Sequence, residues 1–144
     1  MNRHAENADA LGILVKQAQS LLNRAMDREL RPMGLTVTQF ACLRALAEDP
    51  GISGSELARR MFVSRQSMNG VVTGLEKREL VARSEFPGPR RDRAMTLTGD
   101  ATELLERAES AVADVVATLT RGVLPEDIET TLRVLTTACA NLTD

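Results

Sequence analysis

Apolar residues recur at three- and four-residue steps near the start of the chain, where Leu11, Leu14, Ala18, Leu21, Leu22 and Ala25 form one stripe. That period marks one face of a helix and predicts helix from about Ala8 to Leu30. Arg31-Pro32-Met33-Gly34 ends it, because proline and glycine punctuate helices. A second helix is expected from about Thr36 to Glu48, carrying Phe40, Leu43, Ala45 and Leu46, and Asp49-Pro50-Gly51 stops it.

Ser53 followed by Glu56 predicts a capping box, in which the hydroxyl accepts from an orphan first-turn amide and the glutamate reaches back to the cap. Ile52 and Leu57 fall at the positions of a hydrophobic staple. This short helix is expected to end near Met61, and only Phe62 and Val63 precede Ser64, a second N-cap residue. Val63 and Met68 again occupy staple positions. Two capped helices across so tight a connection read as a helix-turn-helix. The second of them, from about Arg65 to Arg78, carries Met68, Val71, Val72 and Leu75 on one face. Its other face shows Arg65, Gln66, Asn69, Gly70 and Thr73, which are small or hydrogen-bonding. Two strand-like runs follow, Leu80 to Phe86 and Ala94 to Leu97, around Pro87-Gly88-Pro89-Arg90-Arg91-Asp92-Arg93. A hairpin with arginine at its tip is the wing of a winged helix.

Past Thr98 the helical period returns in Leu104, Leu105, Ala108, Ala111, Val112, Val115 and Leu119, ending at Gly122. Pro125 suits a first helical position. Ile128, Leu132, Leu135, Cys139 and Leu142 then repeat at four-three-four-three spacing, a coiled-coil-like seam. The expected fold is mainly α: a winged helix-turn-helix with N- and C-terminal dimerisation helices, about six helices and a two-stranded wing. Residues 35–98 are expected to form the DNA-binding domain, and residues 1–34 and 99–144 the dimerisation helices. The terminal stripes need burial that a small winged domain does not offer. A two-fold dimer supplies it through Leu11, Leu14, Ile128, Leu132, Leu135 and Leu142, and such a dimer matches a palindromic operator. An intramolecular bundle is the other way to bury them.

Composition narrows this further. Three Phe with no Trp or Tyr leave a core of Leu, Val, Ile, Ala and Met, which favours helix packing over a β-sandwich. Charged residues at 26% and apolar residues at 43% fit a globular protein rather than a disordered one. No apolar run approaches the ~20 residues of a membrane span, and Met1 to Asp9 lacks the order of a signal peptide. Two cysteines make no disulfide framework, so a reduced, cytoplasmic protein is expected. Cys42, between Phe40 and Leu43, reads as a core thiol rather than a redox sensor, and Cys139 on the seam reads the same way. His4, the one histidine, falls in a polar tail, and no Cys/His cluster has zinc-ligand spacing. With no nucleophile–base pair and no glycine-rich phosphate loop, neither an enzyme nor a metal or cofactor is expected.

The net charge of −2 is unevenly spread. From Leu57 to Arg93 nine basic residues face four acidic ones, a local +5, whereas from Ala101 to Asp144 three face eight, a local −5. A basic stretch of this kind is the electrostatic footprint of a nucleic-acid partner, or else a solvated charged face.

The chain resembles the MarR family of regulators through Leu35-Thr36-Val37-Thr38-Gln39-Phe40, Ser55-Glu56-Leu57-Ala58, Ser64-Arg65-Gln66-Ser67, Gly74-Leu75-Glu76-Lys77 and Leu97-Thr98. The resemblance implies a homodimer of winged domains, a recognition helix in the major groove, wing arginines in the adjacent minor groove and release of DNA by a small anionic or aromatic effector. On that reading Ser64, Arg65, Gln66, Ser67, Asn69 and Thr73 face the major groove. Arginine suits guanine, and asparagine or glutamine suits adenine. Arg90, Arg91 and Arg93 are the minor-groove candidates. Ser64 either grips phosphate with the helix-end amides or serves as a cap alone. The sequence departs from the family pattern at Glu79, where glycine is usual, at Pro89 before Arg90-Arg91, where an acid is frequent, and at Gly70 and Gly74, where larger side chains are common. The alternative function is a winged-helix protein-interaction module without DNA binding, against which the basic wing argues.

Overall fold

The computed structural model of the chain describes residues 2–85 and 94–143. Helix α1 spans Arg3–Leu30 and begins five residues before the start expected at Ala8, because Asn2 caps it by accepting from the His4 backbone N–H at 3.2 Å. His4 is therefore in the first helical turn, not in a tail. A 3-10 turn at Arg31–Met33 contains Pro32, and Gly34 closes it at φ +73°, the left-handed region that glycine adopts without strain. Space restricts Gly34 as well: an added Cβ would lie 3.1 Å from Arg78 Nη2.

Helix α2, Val37–Glu48, opens with a complete capping box that the sequence reading placed elsewhere. The Gln39 amide donates to Thr36 Oγ1 and the Thr36 amide to Gln39 Oε1, both at 3.0 Å. Helices α3, Gly54–Arg60, and α4, Arg65–Lys77, follow. Strands β1, Val81–Arg83, and β2, Met95–Leu97, pair antiparallel with Val81 opposite Leu97 and Arg83 opposite Met95. Both are shorter than the alternating runs suggest, and Phe86, the expected end of the first run, lies outside the described residues. Helix α5, Gly99–Leu119, is capped by Thr98, whose hydroxyl accepts from the Ala101 amide and donates to the Glu79 carbonyl. Helix α6 spans Pro125–Leu142 with Pro125 in its first turn.

One apolar core joins α2, α3, α4, both strands and the first half of α5. Leu43, Leu46, Leu57, Met68, Val72, Leu75 and Met95 are its most enclosed large side chains. The core runs without a break past residue 98, through Ala101, Leu104, Leu105, Ala108 and Val112. From α1 only Leu30 enters it, and from α6 nothing does. α1 lies chiefly along α5, leaving Leu11 and Leu14 exposed, and on α6 Leu132 is 61% and Leu142 87% exposed. Burial of these seams inside the chain, the bundle alternative, is not what the fold does. Among the described residues no helix is long and apolar enough to cross a membrane, and no cluster of ligating side chains could hold a metal.

Cys42 is fully buried in this core, whereas Cys139 is exposed along α6 rather than enclosed by its own chain. Burial pushes the Cys42 thiol up from 9.0 to about 11, because the thiolate would lose its hydration there. The folded-state value is raised, so this stabilisation is intact below pH 9 and fades as pH climbs toward 11. A buried neutral thiol is inert. Iodoacetamide at neutral pH is expected to leave Cys42 unmodified in the native protein and to modify it after denaturation, as read by peptide mass. Rapid native labelling at Cys42 would overturn the assignment.

Candidate nucleic-acid interface

The helix-turn-helix is built from local chemistry. Ser53 caps α3 by accepting from the Glu56 amide at 3.1 Å, as the spacing predicts. The second half of the expected box is replaced: the Glu56 carboxylate lies 2.8 Å from Arg59 Nη2 and 3.6 Å from Arg60 Nε. Two arginines in the last turn of so short a helix outcompete the cap for the carboxylate. Arg60 also pairs with Asp49 at 2.8 Å, tying α3 back to the end of α2.

Phe62, in the turn, takes φ +54° and leaves its ring 82% exposed. Ser64 then starts α4. Its hydroxyl accepts from the Ser67 amide at 3.0 Å and donates to Ser67 Oγ at 3.0 Å. The Ser64 side chain is thus engaged in capping, worth ~1 kcal/mol. The first-turn amides remain the groups suited to a phosphate.

Along α4 the buried row is Met68, Val72 and Leu75, with Val71 half-buried beside it. At 3.6 residues per turn, Gln66, Gly70 and Lys77 lie opposite that row, and all three are exposed. Arg65, Ser67 and Asn69 are exposed on its flanks, and Thr73 is half-buried. The structure therefore brings five of the six major-groove candidates onto one helix whose back is anchored in the core, with the sixth, Ser64, as its N-cap. Arg90, Arg91 and Arg93 of the expected wing tip lie outside the described residues, as do Pro89 and Asp92.

Three contacts were not legible as site features. Arg83 of β1 donates from Nη2 to Asn69 Oδ1 at 3.1 Å, and its Nε stands 2.9 Å from Glu76 Oε1. Arg78, the C-cap of α4, donates from Nη1 to the Gly34 carbonyl at 2.6 Å, linking α4 to the segment just after α1. Glu79 follows at φ +58°, the left-handed conformation in which glycine is usual. The only sequence signal for Arg78 and Arg83 is their place in the basic stretch.

Residues 33–92 match the family model described as MarR family. The HTH-type transcriptional repressor Rv2887 of Mycobacterium tuberculosis is 40% identical over 114 residues, 76% of this chain and 82% of that protein. The chain belongs to the MarR family. The MarR-family fold extends over almost all of it. The Rv2887 complex with DNA superposes at TM-score 0.71 with 33% identity, covering 89% of this chain and 96% of that one. Rv2887 is also known in complex with salicylic acid, at TM-score 0.70, 34% identity and 89% and 95% coverage. The repressor CouR bound to a 23-mer DNA duplex gives TM-score 0.82 and 28% identity over 93% of this chain and 95% of that one. As MarR-family proteins are regulators, the six-helix, two-stranded architecture and its helix-turn-helix are the parts to which function is to be attached.

Two departures from the family pattern carry a stability cost of their own. A left-handed Glu79 costs ~1 kcal/mol relative to glycine. Gly70 is helical, and an added Cβ there meets nothing within 4 Å, so the fold has no steric need for glycine at a cost of ~0.5–1 kcal/mol. Glu79→Gly and Gly70→Ala are each expected to raise Tm by about 2–4 °C at fixed protein concentration. A lowered Tm in calorimetry for either variant would show a compensating contact at that position.

Proposed function

We propose that this MarR-family chain is a transcriptional repressor that binds a pseudopalindromic double-stranded operator as a homodimer and releases it on binding a small aromatic or anionic ligand. The observation that carries the reading is α4 itself: an N-capped helix with one face sealed in the core and hydrogen-bonding side chains displayed on the other. Arg65, Gln66, Asn69 and Thr73 read base edges in the major groove, and Arg90, Arg91 and Arg93 enter the neighbouring minor groove. The local +5 between Leu57 and Arg93 supplies the attraction to phosphate.

The dimer follows from unsatisfied apolar surface. Leu11 and Leu14 of α1 and Leu132, Leu135 and Leu142 of α6 are exposed, with half-buried Ile128 in line with them. A second copy covers these seams and sets two reading helices about one DNA turn apart. For the ligand, a hollow of about 400 Å³ between α1 and α5 combines Leu21, Leu22, Val115 and Leu119 with Arg28 and, beside it, Glu29. Its size is that of a small-molecule site. Salicylic acid, which the mycobacterial relative binds, suits such walls with its ring, and its carboxylate would pair with Arg28 on the side away from Glu29.

The primary test is binding of the purified protein to its upstream intergenic DNA, titrated across salt with and without salicylate. Tight binding with a steep salt slope, weakened by salicylate, is the expected result. Arg91→Ala is expected to lower affinity and flatten the slope by about one unit; an unchanged slope removes Arg91 from the contact set. The absence of binding by a folded dimer at low salt would favour the interaction-module function instead. Leu132→Glu combined with Leu135→Glu is expected to sediment as a monomer and lose operator affinity, and a dimer unchanged by both substitutions would move the interface elsewhere.

A further inference from the structure

On the flank of α4 that faces β1, Asn69 and Glu76 lie two turns apart on one row, and Arg83 of β1 reaches both. Its Nη2 donates to Asn69 Oδ1 at 3.1 Å, and its Nε lies 2.9 Å from Glu76 Oε1. The Arg83 side chain is only 23% exposed, and its Nε is buried without an aligned hydrogen bond. Glu76 thus acts on it as a charge partner, while Asn69 takes the directed bond. A guanidinium has donors and no acceptor, so the end of the Asn69 carboxamide that faces it must be the oxygen. The usual ambiguity between the two ends of an asparagine amide is removed by its neighbour.

We propose that Arg83 is a positioning residue that turns Asn69 into a hydrogen-bond donor toward DNA. The base beneath Asn69 is then chosen for major-groove acceptors without an amino donor beside them, guanine O6 and N7 or thymine O4, rather than adenine. The adenine N7 acceptor adjoins the N6 amino group, and asparagine reads that N6 and N7 pair when both amide atoms are free. This rests on α4 being the DNA-reading helix. The amide oxygen has a second lone pair, but an adenine amino group brought to it would stand beside the guanidinium, donor against cation. Guanine O6 or thymine O4 placed against Nδ2 meets no such opposition and adds a partner of opposite polarity to the arginine. The inference reverses the base preference expected for Asn69 from its residue type alone.

The test is selection of bound duplexes from a randomised pool by the full-length protein, with folding followed by circular dichroism and affinity for random DNA measured alongside. Wild type is expected to prefer guanine or thymine about tenfold or more at one position per half-site, the range of one good base contact. Asn69→Ala is expected to lose preference at that position alone. Arg83→Met is expected to lose it or shift it to adenine there, leaving the other positions and affinity for random DNA nearly unchanged. Asn69→Asp, which keeps an acceptor for Arg83 but has no donor, is expected to move the preference to cytosine; it tests the same point should Arg83→Met not fold. Adenine selected by wild type at the position that Asn69→Ala erases would overturn the inference while leaving the repressor function standing. So would a loss of preference spread over all positions in Arg83→Met, or guanine or thymine retained by Asn69→Asp. A folded wild type that selects no sequence would overturn the DNA-reading function and this inference together.

Discussion

A helix of thirteen residues is marginal by itself in water, so α4 keeps its shape only because one of its faces is sealed in the core. Met68, Val72 and Leu75 provide that seal, and the rest of the domain is arranged around it. α2 and α3 supply the facing apolar residues, the strands close the wing side with Val81 and Met95, and the first half of α5 completes the enclosure. The polar face can then be spent on a partner. Its exposed side chains make few contacts with the core, so the fold has no steric need for the glycine at position 70.

Most of the fold was legible because it is written in short-range patterns. Apolar stripes at helical period and serines or threonines at helix starts are read within a few residues, and α2 to α6 start and end close to where those patterns place them. What was not legible depends on competition or on distance. The Thr36–Gln39 box has the same spacing as the one expected at Ser53, but at Ser53 the neighbouring arginines draw the glutamate away. The candidate face of α4 was legible as a set of side chains, yet not its internal order. Arg83 meets Asn69 across fourteen positions and Arg78 meets Gly34 across forty-four. Contacts of that span exist only once the chain has closed, and no local period encodes them.

Electrostatics shows the same division. A whole-chain charge of −2 hides a basic stretch, and counting residues along the stretch hides which charges are already matched. Arg59 and Arg60 face Glu56 and Asp49, and Arg83 faces Glu76. The exposed pairs of Arg59 and Arg60 add little to stability, but all of these pairs decide which cations meet a phosphate without first giving up a partner. Arg65, at the start of α4, makes no ion pair among the described residues.

Helix α1 has 28 residues and is therefore about 42 Å long. The one side chain it buries fully in the core is its last, Leu30, with Met26 packed half-buried against the core one turn earlier. Seated at that end and lying along α5, such a rod acts as a lever: a tilt of about five degrees at Leu30 carries the far end by about 4 Å at that length. The arginine bridge from Arg78 to Gly34 fastens α4 four residues beyond that pivot. Leverage also runs in the other direction, so that whatever grips the far end of α1 acts on α4 with a large mechanical advantage.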